Sequence, residues 1–238
     1  MDDIVQQALA RWPNVPAIAG WLRLTARGDW LLTGEVPAGV RITHNNMRRF
    51  IDRNYAVDER GRWFFQNGPQ KVYVSLEYTP WVFSLHPVSD SGWCLLSHTR
   101  VATRPTHVML DEQGQFLFVT PLGVGVMRDT DMESITPFLR EHEDGLWTLD
   151  VPWTLPTAEQ CAQREWRLVP ALSLVAQAAN DESVAEVSPV ATDVSVASGF
   201  VQRDEGVATA SDVSVMSVEN VQRADMPTRF GFDASPQV

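Results

Sequence analysis

Apolar and polar positions alternate along residues 20–25, with Leu22 and Leu24 set against Trp21, Arg23 and Thr25. A second apolar run, Trp30-Leu31-Leu32, follows the turn Ala26-Arg27-Gly28. Period-two alternation on both sides of a glycine turn predicts an antiparallel hairpin with one wet face. Ahead of it, Ile4, Val5, Ala8, Leu9 and Trp12 recur at helical spacing after Asp2 and Asp3 and stop at Pro13. Those signals predict a short N-terminal helix. Past the hairpin, Asn45 or Asn46 is expected to cap a helix with Met47, Phe50, Ile51 and Tyr55 inward and Arg48, Arg49 and Arg53 outward.

The densest apolar stretch, residues 61–85, is broken by Asn67-Gly68-Pro69 into two strands, and Val72, Val74 and Leu76 alternate with Tyr73, Ser75 and Glu77. Pro80 lacks an amide donor, so the chain must bend, bulge or lie on an edge there. Two further runs, His107 to Leu110 and Gln115 to Val119, read as a second hairpin turned at Asp111-Glu112-Gln113-Gly114. The helix expected from Asp131 to Leu139 contains Pro137, which should shorten or distort it. Trp147-Thr148-Leu149 reads as a strand, and Thr157 as the cap of a last helix that offers Cys161, Trp166 and Leu168 to the core.

These elements come in one order twice. In each pass an aromatic (Trp30, Phe116) is followed by a Gly-Val step (Gly39-Val40, Gly125-Val126), a helix with Met47 or Met132, and an acidic-Gly-aromatic turn ending at Trp63 or Trp147. The spacings match to within one residue. This argues for internal duplication of a hairpin-helix-strand unit over about residues 20–85 and 106–153. The expected fold class is α+β, a mostly antiparallel sheet built from the two copies.

Composition changes this picture at the C-terminal end. All nine Trp and all three Tyr lie between Trp12 and Trp166, and residues 176–238 hold ten carboxylates against Arg203, Arg223 and Arg229. Of the net charge of −11, −7 falls in that segment and −4 in the rest. A folded region over residues 1–178 and a disordered acidic tail over 179–238 are therefore expected. Within the tail, Asp193-Val194-Ser195-Val196 recurs as Asp212-Val213-Ser214-Val215, and Val201-Gln202-Arg203 as Val221-Gln222-Arg223. Phe230 and Phe232 stand out as aromatic candidates for docking a protein partner.

The acidic balance gives no basis for nucleic-acid binding. No apolar run approaches the 18 residues of a membrane span, and the N-terminus lacks a basic and an apolar signal region, so a cytoplasmic protein is expected. Cys94 and Cys161, with no disulfide framework around them, read as free buried thiols.

Candidate chemistry is sparse. Cys94-x3-His98 with His86 and His107 has zinc donor types but lacks a second close pair, so no metal or cofactor is expected. Leu122-Gly123-Val124-Gly125-Val126 lacks the third glycine and the Lys-Ser/Thr of a phosphate loop. The Asp-Glu-x-Gly turns at 58–61 and 111–114 are explained by turn chemistry without acid–base work. No catalytic residues are assigned. The candidate ligand surface is the polar connection Gln66, Asn67, Gln70 and Lys71, which interrupts the duplication, with Arg48 and Arg49 as receivers of an anion.

Across WPNVPAIAGWL, and more strongly across RNYAVDERGRWFFQNGPQKVYVSLEYTPWVF, the chain resembles an uncharacterised proteobacterial family catalogued as a domain of unknown function. The run Glu77-Tyr78-Thr79-Pro80-Trp81 is also similar to a second bacterial family of unknown function. These resemblances imply a bacterial α+β protein and carry no catalytic residues with them. The leading expectation is a non-enzymatic binding or adaptor protein. The alternative is a domain that binds or converts an anionic small molecule in a cleft near residues 66–71.

Overall fold

The computed structural model describes residues 1–34, 38–90, 92–169 and 215–238. Helix α1 (Asp3–Arg11) leads into the predicted hairpin, β1 (Ile18–Leu24) and β2 (Trp30–Leu32), whose register sets Leu24 opposite Trp30. Strand β3 (Val40–Arg41) and helix α2 (Asn45–Arg53) follow. The cap of α2 is His44, one residue ahead of the expected asparagines, because its Nδ1 accepts from the Met47 amide at 3.4 Å. Strands β4 (Tyr55–Val57), β5 (Trp63–Asn67) and β6 (Gln70–Leu76) complete a six-stranded sheet in the order β3-β2-β1-β6-β5-β4.

The chain then crosses to a ten-stranded sheet through Tyr78-Thr79-Pro80. Pro80 sits between strands and not inside one. There follow β7 (Trp81–Pro87), β8 (Trp93–Ser97), β9 (Val101–Thr103), β10 (His107–Asp111), β11 (Phe116–Thr120) and β12 (Gly123–Met127). The glycine run at 122–126 is thus a strand, and Gly125 is there because an added Cβ would stand 2.3 Å from the Phe83 ring. Helix α3 (Met132–Ile135) is cut short and finishes as a 3-10 turn holding Pro137. Strands β13 (Leu139–Glu141) and β14 (Trp147–Leu149), helix α4 (Ala158–Arg164) with its Thr157–Gln160 capping box, and β15 (Arg167–Leu168) come next.

Residues 215–238 depart from the expected disordered tail. They form β16 (Met216–Val221), a 3-10 turn and helix α5 (Met226–Phe230). Strand β16 lies between β14 and β10, antiparallel to the first and parallel to the second. Val221, Met226 and Phe232 are buried in the main core. The acidic composition averaged over the whole tail masked this local alternation of Met216, Val218 and Val221. Phe232 is therefore a core residue and Phe230 is half-buried, which removes Phe232 as an exposed docking group. Val221-Gln222-Arg223 ends β16 and opens the 3-10 turn, whereas residues 193–196, 201–203 and 212–214 lie outside the described residues.

The second sheet runs β13-β14-β16-β10-β11-β12-β7-β8-β9-β15. Reversed, its first six strands repeat the order of the first sheet, with β16 in the place of β6. The registers coincide too. Leu24 faces Trp30 and Leu76, and Leu110 faces Phe116 and Asn220. Likewise Phe65 faces Tyr55 and Val72, while Leu149 faces Leu139 and Met216. Among the described strands the pairings β1–β6, β10–β16, β7–β12 and β9–β15 are parallel and the others antiparallel. One continuous cluster of buried side chains serves both sheets.

The C-terminal segment also ties back to the first sheet. The Asp233 amide donates to Gly61 O, and the Leu76 amide to Ala234 O. Gly61 has φ +72°, and a Cβ there would lie 2.0 Å from Gly231 O. Gly61→Ala is therefore expected to lower unfolding free energy by about 2–4 kcal/mol in chemical denaturation, from left-handed strain plus overpacking. Removing residues 215–238 leaves facing edges of β10 and β14 unpaired, so the truncated chain should lose its cooperative thermal transition. A truncated chain that melts like the full one would overturn the assignment of β16.

Candidate functional site

A cleft of about 660 Å³ opens where the first sheet meets β7 and β8. Its wall from the first sheet comes from the β1–β2 turn (Arg27, Gly28, Asp29), Arg41 on β3, and one face of α2 (Asn45, Arg48, Arg49, Asp52). The opposite wall comes from Val82, Ser84 and His86 on β7, from Leu96 to His98, and from Arg100, Arg128, Thr130 and Trp166. Six guanidinium groups thus line the cleft together with the carboxylates of Asp29 and Asp52. The volume falls in the range of small-molecule pockets.

Most of these arginines have partners. Arg27 pairs with Asp129, Arg41 with Asp29 at 2.7 Å, Arg128 with Asp131 at 3.1 Å, and Arg49 with Glu165 at 2.5 Å. The Arg100 side chain donates to the carbonyls of Glu165 at 3.0 Å and Arg164 at 2.5 Å. Among the described residues Arg48 is the cleft arginine with neither an ion pair nor a side-chain hydrogen bond.

Two half-buried polar side chains set the floor. Asp52, on the helix turn after Arg48, accepts from the Trp30 indole Nε1 at 2.8 Å. Burial, the largest influence, pushes its carboxyl up to about 6 against the pull of that hydrogen bond and of Arg48, Arg167 and Arg100. His98 packs against the rings of Trp30, Tyr55 and Trp81 at centroid distances of 5.4, 5.5 and 5.6 Å. Its Nδ1 accepts from the Val82 amide, so Nε2 carries the proton, and that atom is buried with no hydrogen-bond partner. Burial drives the imidazole down to about 3, so it is neutral at physiological pH.

Ser84 and His86 also line the cleft, with Oγ and Nε2 3.0 Å apart. Ser84 Oγ is also within hydrogen-bond reach of the Leu96 carbonyl, an acceptor only. The hydroxyl proton thus has two acceptors within reach, the imidazole and the Leu96 carbonyl.

The residues proposed from sequence divide. Arg48 and Arg49 line the cleft; Gln66, Asn67, Gln70 and Lys71 do not. Gln66 is buried and donates to Gly68 O, Gln70 donates to Pro16 O at 3.4 Å, and the Lys71 ammonium stands 4.3 Å over the Phe64 ring. Asn67 is exposed at the hairpin turn. These contacts fasten the hairpin to itself and to the segment before β1. Asp58 and Asp111 are likewise occupied: each closes its own turn through backbone amides and accepts from a tyrosine hydroxyl, Tyr73 or Tyr78, at 3.0 Å. Cys94 and Cys161 are free and buried, and burial pushes the Cys94 thiol up to about 12. No cluster of three metal-ligating side chains occurs among the described residues. No helix among them is long and apolar enough to cross a membrane. Sequence reasoning missed Arg27, Arg41, Arg100, Arg128 and Asp52, which are scattered over a hundred positions. The one local signal was the arginine face of α2.

The family model DUF2944, described as "Protein of unknown function (DUF2946)", matches residues 1–237. The chain belongs to this family. Its function is unknown, in agreement with the proteobacterial domain of unknown function that the sequence resembles. Two solved structures are similar, both of DUF1285 family proteins. One, from Silicibacter pomeroyi DSS-3, is 15% identical with a TM-score of 0.41, over 68% of this chain and 99% of the other. The second, from Shewanella baltica OS155, is 13% identical with a TM-score of 0.34, over 49% and 91%. None of the curated proteins matches the chain.

Asp52 gives this site a pH signature. Its folded-state value, about 6, lies above the ordinary 3.8, so the carboxyl destabilises the fold once ionised. The cost is absent below pH 4, grows between about 4 and 6, and is complete above 6. Asp52→Asn keeps an acceptor for Trp30 and should raise stability by up to about 3 kcal/mol at pH 7.5, with little change at pH 4. Equal effects at both pH values in paired denaturant titrations would refute the burial argument.

Proposed function

We propose that this protein binds a small anionic ligand, one bearing phosphate or carboxylate groups, in the arginine-lined cleft between α2 and the β7–β8 pair. The observation that carries this reading is the convergence of six guanidinium groups on one space, one of which, Arg48, has neither an ion pair nor a side-chain hydrogen bond among the described residues. A guanidinium presents a planar fork of donors that suits an oxyanion, and its hydrogen bonds to an ionised group are stronger than neutral ones. The site relocates the anion-binding alternative from the Gln66–Lys71 hairpin to the face of α2.

Binding without turnover is the favoured form of this reading. His98 is neutral with its Nδ1 engaged, Asp52 is tied to Trp30, and the Ser84 hydroxyl is shared with the Leu96 carbonyl. Shared strand order and register support taking the two sheets as copies of one duplicated unit, with the second copy completed by β16. On this view β7, β8, β9 and β15 are additions to the duplicated plan, and the cleft lies where the first copy meets them. A feature that breaks the repeat is where the ligand would sit.

Isothermal titration at low ionic strength with pyrophosphate tests this. The wild-type chain should bind it, Arg48→Ala should weaken binding about tenfold, the worth of one charge-assisted contact, and added salt should weaken it further. No binding, or binding indifferent to Arg48→Ala, would overturn the assignment of the cleft.

A further inference from the structure

Two non-glycine residues in the described chain have left-handed backbone, Arg100 at φ +65° and Glu165 at φ +56°, and they touch each other. Such conformations cost energy for side chains with a Cβ and persist where the surroundings enforce them. Glu165 closes α4 as a C-terminal cap: its amide reaches back to Ala162 O and the Trp166 amide to Cys161 O. That position usually belongs to glycine. A glutamate there projects a carboxylate onto the cleft's arginines, with Oε2 at 2.5 Å from Arg49 and 3.9 Å from Arg100.

The placement is specific in a second way. Beside the main cleft is a lobe of about 310 Å³ that Glu165 lines together with Thr99, Arg53 and Arg167. Arg49, Asp52 and Arg100 line both spaces. The two arginines that Glu165 holds are therefore the ones a ligand in the cleft would also meet. Arg100 stays anchored to the α4 terminus by the carbonyls of Arg164 and Glu165 whatever the carboxylate does. The ion pair itself is half-exposed, with side-chain exposures of 48% for Arg49 and 58% for Glu165, a setting in which such pairs contribute little and exchange readily.

We infer that Glu165 is a built-in competitor for the site: its carboxylate engages Arg49 and Arg100 and yields them to a ligand carrying two oxyanion groups, one for Arg48 and one for this arginine pair. This rests on the anion-binding reading of the cleft and specifies the ligand as a small molecule with two oxyanion groups. The competing group is a carboxylate, so phosphate and carboxylate ligands are both admissible, and the experiment separates them.

Pyrophosphate and malonate are titrated calorimetrically into the full chain and into Glu165→Gln, Glu165→Gly and Arg48→Ala, with circular dichroism as the check on folding. Removing the competitor should tighten binding of the better ligand about fivefold, the scale of a lost exposed ion pair, in both Glu165 variants. Glu165→Gly should also raise thermal stability, since glycine suits the left-handed cap. The probe that gains more names the oxyanion. If the wild-type chain binds and Arg48→Ala weakens it while both Glu165 variants bind as wild type or worse, the competitor is refuted and the cleft assignment stands. If no form binds either probe, both are refuted.

Discussion

The cleft depends on an aromatic seam that joins the two sheets. Trp30 on β2, Tyr55 on β4 and Trp63 on β5 come from the first sheet, and Trp81 and His98 from the second. Their rings meet mostly edge-to-face at 4.8–5.7 Å, an arrangement that adds directional attraction to the burial of large apolar surfaces. Tyr55 reinforces the seam by donating to Pro80 O at 3.0 Å, which fixes the crossover between the sheets. With the seam in place, α2 is held facing β7 and β8. Without it, Arg48 and Arg128 would belong to separate surfaces.

The same seam determines the electrostatics above it. Trp30 is almost wholly buried, yet its indole nitrogen needs an acceptor, and Asp52 supplies one. That contact draws a carboxylate under the arginine-lined walls at a desolvation cost. The surrounding guanidinium groups offset part of the cost but not all, which is why the carboxyl rests near 6. Satisfying a core tryptophan and moderating the charge of the cleft are thus one interaction. Glu165 moderates the charge from the exposed side, through a contact far weaker because water competes for it.

Local signals in the chain were readable where local physics decides the outcome. Turn residues placed Gly28, Gly61 and Gly114 at positive φ, and Pro137 shortened α3 as its missing amide requires. Thr157 capped α4 as expected, whereas His44 displaced Asn45 at the start of α2 because an imidazole nitrogen also accepts a hydrogen bond. The last 24 residues were misread since composition was averaged over a tail in which only the final stretch alternates. The candidate hairpin at 66–71 was conspicuous for its amides, but Gln66 serves its own turn, Gln70 reaches Pro16 O, and none of them lines the cleft.

By itself the sequence marked the two hairpins, the strands on either side of Asn67-Gly68 and the Trp147 strand, because these follow from side-chain alternation and backbone chemistry within a few residues. It also marked the arginine face of α2. Only the tertiary structure decided that a strand more than a hundred residues away, β16, occupies in the second sheet the place β6 holds in the first, and that arginines from β3, α2, β8's end and β12's end meet in one cleft. The reason is physical: strand pairing and charge convergence depend on which surfaces the buried aromatic seam brings together, and no local pattern encodes that distance.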